Sequence, residues 1–462
     1  MVSLSDTNGE VTDQLIRQQM ITDDGKLVSS LRIRSYMPYA ASIFTLNRKQ
    51  MVEMYQSREQ RSFCFSMHGI AYADDEGGCL SQYVVAVFQT DALLIYKSKE
   101  ETVWLATGKK TRKPTFQRIA VNMKNRESRH VSTLAVRAIY ALGLDYGVVK
   151  IGLFQRKKLK VIDVVINPRM NDTIKEAFCE AIVSYINRLP NMTTRPESIM
   201  LGADPEFIMR DTRTGEIVFA SDYFPKDGKV GCDAIWQGEN RENKPLVELR
   251  PTPSSDPKKV ILRMYQGLLH ANHLVPKENV KWLAGGLPVA RLPLGGHIHF
   301  SGLDLNFPLL RALDQYLALP LVLAEDPRGI LRRPRYGFLG DFRRQPHGGF
   351  EYRTLPSWLV SPVITCGVMA LGQLVASSYP LLRYEPLSTE ERQQAYYEGN
   401  KRVVGDIIYD IWLELQALEY YPRYEEMLDP YFDSLCAGQV WDETKDFRTM
   451  WNISIGGSDL LV

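Results

Sequence analysis

Ionisable side chains occupy alternate positions in four short segments between residues 201 and 353, and this spacing constrains the fold more than any other feature of the sequence. The four pairs are Asp204 with Glu206, Glu248 with Arg250, His297 with His299, and Glu351 with Arg353. Because successive side chains of a β-strand point to opposite faces, each pair lies on one face of a predicted strand. A buried unpaired charge is costly, so the face of a half-buried sheet normally carries apolar residues. Four such strands therefore predict bound ions.

The segments around these pairs predict an α+β domain with a mostly antiparallel sheet. Candidate strands cover residues 201–209, 246–249, 297–301 and 350–353, and candidate helices cover 256–273 and 306–323. From Ser388 the pattern becomes helical, and Ser388 and Glu391 have the spacing of a capping box. We expect a helical appendage there.

The sequence upstream of residue 195 predicts a smaller α+β domain. Apolar runs at 83–88 and 92–96 predict a strand pair, residues 148–154 and 159–166 predict a hairpin, and a helix is expected around 132–142. A further helix, capped by Asn171 or Asp172, should end before Pro190.

Turn-forming residues are dense at 189–196, which predicts a domain boundary. The predicted organisation is an N-terminal extension or partial domain over 1–60, a domain over 61–195, a catalytic domain over 197–385, and a helical appendage with a C-terminal tail over 386–462.

The charge balance argues against a nucleic-acid or membrane partner. The chain has 56 basic and 54 acidic residues, a net charge of +2, and basic clusters such as 109–113 are predicted to be solvated loop faces. Six scattered cysteines without a C-x-x-C pair and the lack of a signal-like N-terminus favour a cytoplasmic location. The most apolar stretch, 360–378, contains polar residues and is predicted to be a buried helix.

The residue types on the polar strands favour magnesium, with manganese as an alternative. Carboxylate oxygens are the ligands that these hard cations prefer, and imidazole is compatible with manganese. The strand with His297 lacks the helical histidine spacing of common catalytic zinc sites. We expect two or three such ions to bridge nucleotide phosphates.

Arginine-rich segments at 331–337 and 340–348 precede the Glu351 strand. Guanidinium groups beside a metal-held triphosphate stabilise a transferring phosphoryl group by fixed electrostatics. Gly295 and Gly296, just before His297, would let the backbone approach a ligand closely.

At these residues the sequence resembles the carboxylate-amine ligases (amidoligases) of the glutamine synthetase and glutamate-cysteine ligase superfamily, in the branch first described in phages. The motifs are LGADPEF at 201–207, VELRP at 247–251, GGHIHFS at 295–301 and FEYRTLPSW at 350–358. The resemblance spans about residues 197–380 and implies a glutamine-synthetase-like sheet and an ATP-dependent ligase.

The resemblance also implies roles for individual residues. Mg²⁺ would be held by Asp204, Glu206, Glu248, His297 and Glu351, ATP would face His299 and Ser301, and transferring phosphate would be held by Arg335 and Arg343. Arg353 would grip the substrate carboxylate. The substrates would be an amino-acid or peptide carboxylate and an amine.

Residues of about 80–190 resemble the carboxyl-terminal half of ATP-grasp ligases, at 141–151 and 165–169. Lys150 and Val165 stand where that family has two metal-binding acids, and only Asn167 matches. We expect a degenerate copy without a working nucleotide site.

Three functions remain open: an amide-forming ligase, a peptide-binding or scaffold protein that has lost turnover, and a metal-dependent amide hydrolase. The intact acids and His297 favour an active enzyme, and arginines placed for phosphate favour the ligase over the hydrolase. Cys232 is predicted to be an inert packing residue, and His270 and His273 are predicted to be helix residues without a part in catalysis.

Overall fold

A computed structural model describes residues 2–4, 20–37, 40–74, 77–99, 115–189, 192, 194–233, 235–236, 240–275 and 279–455. The chain divides into two compact units, residues 1–192 and 193–462. This division falls inside the turn-rich segment 189–196, while the subdivisions at residues 60 and 385 stay predictions. The basic cluster at 109–113 lies outside the described residues.

The first unit contains a three-stranded sheet and a five-stranded sheet. Its strands are β1 (Val2–Leu4), β2 (Leu31–Met37), β3 (Ala40–Leu46), β4 (Ser81–Phe88), β5 (Asp91–Ser98), β6 (Phe116–Ile119), β7 (Tyr146–Phe154) and β8 (Lys158–Val165). Its helices are α1 (Lys49–Met54), α2 (Arg58–Met67), α3 (Arg126–Ala141) and α4 (Asp172–Arg188). The larger sheet has the order β6-β5-β4-β7-β8 and is antiparallel throughout, which confirms the predicted strand pair and hairpin.

Side-chain caps fix the two long helices of this unit. Asn171 Oδ1 accepts a hydrogen bond from Ile174 N at 2.9 Å, which confirms one of the two predicted caps. Helix α3 begins at Arg126, earlier than the predicted residue 132, because Asn125 caps it by accepting from Ser128 N at 3.0 Å. Its first turn is polar, so apolar periodicity could not reveal this start.

The second unit is built on an eight-stranded sheet of the described residues. Its strands are β9 (Met200–Asp211), β10 (Ile217–Val218), β11 (Val230–Cys232), β12 (Leu246–Leu249), β13 (Val280–Leu283), β14 (Gly296–Ser301), β15 (Phe342–Arg344) and β16 (Phe350–Tyr352). The order is β11-β12-β9-β14-β16-β15, with β10 and β13 also on β9, and all neighbours are antiparallel. The predicted α+β fold with a mostly antiparallel sheet is therefore confirmed.

Helices cover and extend this sheet. They are α5 (Pro257–Leu274), α6 (Phe307–Leu313), α7 (Leu319–Leu321), α8 (Pro362–Ser378), α9 (Glu390–Glu398), α10 (Lys401–Gly405), α11 (Ile408–Gln416) and α12 (Glu425–Cys436). The predicted cap at Ser388 is wrong by one residue, because Thr389 is the N-cap and its side chain accepts from Arg392 N at 3.4 Å. Among the described residues one helix, Pro362–Leu381, is long and apolar enough to cross a membrane, but 83% of its apolar window is buried inside the protein, as in a core helix.

Candidate active site

Strand register places the predicted polar residues on one face of the second sheet. Across β9 and its neighbours, Glu248 lies opposite Glu206, and His297 lies opposite Asp204; across β14 and β16, His299 lies opposite Glu351. Directly opposed residues of antiparallel strands share a face. The alternation seen in the sequence therefore becomes one continuous polar surface, which we call the carboxylate face.

Three residues of the carboxylate face bring ligand atoms together. Asp204, His297 and Glu351 each offer one atom within 4.8 Å of the others. His297 Nδ1 lies 3.1 Å from Asp204 Oδ1 and 3.2 Å from Glu351 Oε1. All three atoms are buried, yet none of them makes a well-directed hydrogen bond. Buried acceptors that converge on one point without hydrogen bonds fit a divalent cation, so this donor set fits the expected metal.

The second nitrogen of His297 is held by a residue that sequence reasoning missed. His297 Nε2 lies 3.1 Å from the Tyr336 hydroxyl, and burial raises the pKa of Tyr336 so that it stays a neutral phenol. If Nδ1 held a metal, its lone pair would be used there, and the proton would lie on Nε2, where it could be donated to Tyr336 Oη. Tyr336 lies in the arginine-rich segment 331–337, where no spacing of residues marked it as a site residue.

His299 completes the surroundings of Asp204, with its Nε2 3.1 Å from Asp204 Oδ2. Although burial alone would raise the pKa of Asp204, the close contacts with His297 and His299 hold that pKa well below its usual range. A Cβ at Gly202 would come within 3.3 Å of His299 Cβ, so the glycine makes room for the imidazole. Ser301, the other predicted nucleotide residue, ends β14 and is partly exposed.

Glu206 and Glu248 lie on the same face but outside the three-residue cluster, at least among the residues that the structure describes. Glu206 Oε2 accepts a hydrogen bond from Gly295 N at 2.7 Å. Burial, followed by the charge of Asp233, raises the pKa of Glu206 well above its usual value, and burial with the charge of Asp204 raises the pKa of Glu248 to about 8. Neighbouring carboxylates raise each other's pKa values, and a bound cation would lower those pKa values again.

Asp233 is an acid that sequence reasoning missed. It directly follows β11, where Gly231 lies opposite Glu248, and alternation puts Asp233 on the carboxylate face. Little in the sequence indicated this, because the residue two positions before Asp233 on the same face is Gly231, which has no side chain to extend the polar pattern. Packing explains the glycine at position 231, because a Cβ there would collide with the Arg250 guanidinium, which forms an ion pair with Glu248.

The arginines divide into two groups. Arg332 donates to the carbonyls of Thr354 and Leu355, and Arg333 pairs with Glu325 below the Tyr396 ring, so these two buried arginines hold the loop itself. The predicted phosphate ligand Arg335 is exposed and makes no hydrogen bond or ion pair with the described part of the chain.

Glu351 is the hub for the remaining arginines. Arg353 Nε lies 2.9 Å from Glu351 Oε1, and Arg343 Nη1 lies 3.3 Å from Glu351 Oε2. Gln345 Nε2, another residue missed from the sequence, donates to Glu351 Oε2 at 3.0 Å. The Glu351 side chain is only 1% exposed, whereas Arg343 is 56% exposed. Arg343 can therefore reach a ligand in solvent while Glu351 stays fixed.

Comparisons with known proteins add to this geometry. No curated protein matches the chain. Among solved structures, it is similar to a bifunctional glutathione synthetase from Pasteurella multocida, with 11% sequence identity and a TM-score of 0.34 over 55% of this chain. The chain spans 50% of that enzyme's length, and a likeness this distant does not establish a common fold.

A family model gives the decisive match. It covers residues 201–453, so it includes the carboxylate face and continues past the predicted limit of 380 through helices α9 to α12. Because the match covers more than half of the chain, the chain belongs to the phage phiEco32-like COOH.NH2 ligase-type 2 family.

Proposed function

We propose that this ligase uses ATP and Mg²⁺ to convert the carboxylate of an amino acid or peptide into an acyl phosphate, which an amine then attacks to form an amide. In the first step a carboxylate oxygen takes the γ-phosphoryl group and ADP leaves. In the second step the amine nitrogen bonds to the carbonyl carbon and inorganic phosphate leaves. The observation that supports this most strongly is the convergence of Asp204, His297 and Glu351 without hydrogen bonds among their facing atoms.

The chain's residues would divide the work. Mg²⁺ would be held by Asp204, Glu206, Glu248, His297 and Glu351, with Asp233 as a further candidate. Bound Mg²⁺ would neutralise the phosphate charge during transfer. Tyr336 orients His297, and the hydrogen bond from Gln345 orients Glu351.

Arginine side chains would bind the anionic groups of the substrates. Arg335 and Arg343 are exposed cations, Arg335 next to Tyr336 in the chain and Arg343 beside Glu351. They would hold the transferring phosphoryl group, with His299 and Ser301 toward the nucleotide. Arg353 lies behind Glu351 with its side chain 21% exposed, and its terminal nitrogens would bind the substrate carboxylate.

The test is incubation with ATP, Mg²⁺ and a pool of amino acids and short peptides. We expect ADP release together with a product whose mass equals two substrates minus water, and neither without ATP. An inactive scaffold would give neither signal. A metal-dependent hydrolase would instead give fragments that gain water, in the absence of ATP, and either result would overturn the proposal.

A further inference from the structure

A cavity of about 590 Å³ lies on the other side of the sheet from the carboxylate face. Val230 and Leu249, which lie opposite each other on β11 and β12, both line it. They alternate along their strands with Gly231 and Glu248, so they point away from the carboxylates. Helix α5 forms another wall, and the volume is within the range of small-molecule pockets.

The ionisable side chains that line this cavity are all basic. Lys229, Arg263 and His270 line it, whereas none of its lining residues within the described ranges is an aspartate or glutamate. Lys229 and His270 are exposed, and Arg263 is partly buried. A surface of this kind attracts an anion and repels a free cation.

Arg263 is held ready for such an anion. Its Nη1 donates to the carbonyls of Thr252 at 2.7 Å and Pro253 at 3.0 Å, which fixes the guanidinium plane. Nε and Nη2 make no hydrogen bond to residues that the structure describes, so they remain available as donors. A guanidinium oriented in advance loses less entropy when it binds a carboxylate, phosphate or sulfonate.

Gly267 keeps the cavity open on the helix side. It lies inside α5, where glycine is less favourable than alanine. A Cβ there would lie 3.5 Å from Leu249 Cδ2 and 3.7 Å from Val230 Cγ2, which is ordinary van der Waals contact. Packing therefore does not demand glycine at this position, whereas a long side chain would extend into the cavity.

We propose that this cavity is a second binding site, separate from the carboxylate face, for a small molecule with an anionic group and an apolar body. Arg263 and Lys229 bind the anionic group. The apolar body lies over Val230, Leu249 and the gap beside Gly267. The sheet separates this site from the residues proposed for ligation, so binding here does not depend on ligase activity.

The probe is 8-anilinonaphthalene-1-sulfonate, an apolar anion whose fluorescence rises on binding, titrated into the full chain. We expect saturable binding that falls by at least about tenfold in Gly267→Leu and in the double variant Lys229→Glu/His270→Glu. The control is Leu262→Ala, on the same helix but 55% exposed and not part of the lining, which should bind as the unmodified chain does. The uncharged N-phenyl-1-naphthylamine should bind more weakly than the sulfonate.

Circular dichroism checks that each variant is folded. If Gly267→Leu does not fold, the double variant decides, because it changes only exposed side chains. Unchanged sulfonate affinity in the double variant, equal affinity for the two probes, or no saturable binding by the unmodified chain would each overturn the proposal.

Discussion

The five-stranded sheet of the first unit and the eight-stranded sheet of the second both carry charged side chains within their strands, but they compensate these charges differently. On β7 and β8, Lys150 lies opposite Asp163, and Asp163 accepts a hydrogen bond from Arg61 at 3.0 Å. The Asp163 carboxylate therefore has a cationic partner within the protein and needs no ligand to balance it.

On the carboxylate face the balance is incomplete. The facing atoms of Asp204, His297 and Glu351 are buried and make no well-directed hydrogen bond, although Arg353 Nε lies 2.9 Å from Glu351 Oε1. The pKa values of Glu206 and Glu248 are raised by burial and by neighbouring acids. A charged residue within a strand is therefore not by itself a sign of a site. The sign is a crowd of buried acids on one face, two of them with raised pKa values, whose converging atoms make no well-directed hydrogen bond.

The largest expected effect tests this contrast with matched substitutions. Glu351→Gln keeps the volume but removes a charged ligand, so we expect Mn²⁺ affinity and ATP-dependent ligation to fall by at least about 100-fold. Asp163→Asn, which removes the charge of a paired acid in the first unit, should leave both unchanged. Calorimetric Mn²⁺ titration and ADP release measure the two quantities. Equal losses in the two variants would contradict the claim that the acids of the carboxylate face, and not those of the first sheet, bind the metal.

The two arginines on Glu351 should differ in kinetics. In the proposed mechanism Arg343 contacts charge that develops in the transition state, so Arg343→Ala should lower turnover. Arg353→Lys keeps the charge but loses the planar fork, so it should weaken binding of the acid substrate by roughly 1 to 3 kcal/mol with turnover largely kept. Steady-state kinetics in both substrates separate these outcomes. Weaker ATP binding by Arg353→Lys would place this arginine at the nucleotide.

The raised pKa of Glu248 makes the stability of the metal-free protein depend on pH. Its pKa is about 8 in the folded chain, above the usual carboxyl value, so the folded state keeps a proton that the unfolded state has lost. The free energy of unfolding should therefore fall as the pH rises from about 5 to about 8. Thermal unfolding in chelator should show a shallower fall for Glu248→Gln. Parallel curves would contradict the assignment.

The smallest expected effect is in the first unit. Asn167 is exposed after β8, and Val165 lies opposite Val148, so the acids of a working nucleotide site are not present at these positions. Asn167→Ala should leave ligation within about twofold of the unmodified rate, which corresponds to about 0.4 kcal/mol in activation free energy. A loss as large as that of Glu351→Gln would show that the first unit has a working centre, and the degenerate interpretation would be wrong.

Much of the second sheet could be predicted because a period of two is set by strand geometry and survives in the sequence. That period placed each polar pair on one face of its own strand, and the strand register then brought Asp204, His297 and Glu351 onto a common face. The period of two could not show that the Glu206 carboxylate accepts a hydrogen bond from Gly295 N and lies outside the cluster. This contact depends on a backbone amide just before β14, which is distant in the sequence.

Residues on loops and short strands were harder to find. Tyr336 reaches His297 from a loop, and Gln345 reaches Glu351 from the turn after β15, which pairs with β16 at the edge of the sheet. No period in the sequence marks either contact. Gly295 and Gly296 were predicted to admit a ligand. In the structure Tyr336 and His297 crowd the first, and Trp358 and the Pro356 carbonyl crowd the second, so packing of the protein explains both glycines.

The most direct test of the carboxylate face as a metal site is pulsed electron paramagnetic resonance of Mn²⁺ bound to protein labelled with ¹⁵N-histidine. If His297 Nδ1 is a ligand, the spectrum should show hyperfine coupling to a histidine nitrogen, and the coupling should vanish in His297→Ala while His270→Ala retains it. Bound Mn²⁺ that shows no nitrogen coupling in the unmodified chain, or coupling that persists in His297→Ala, would contradict the assignment of Asp204, His297 and Glu351 as the metal centre.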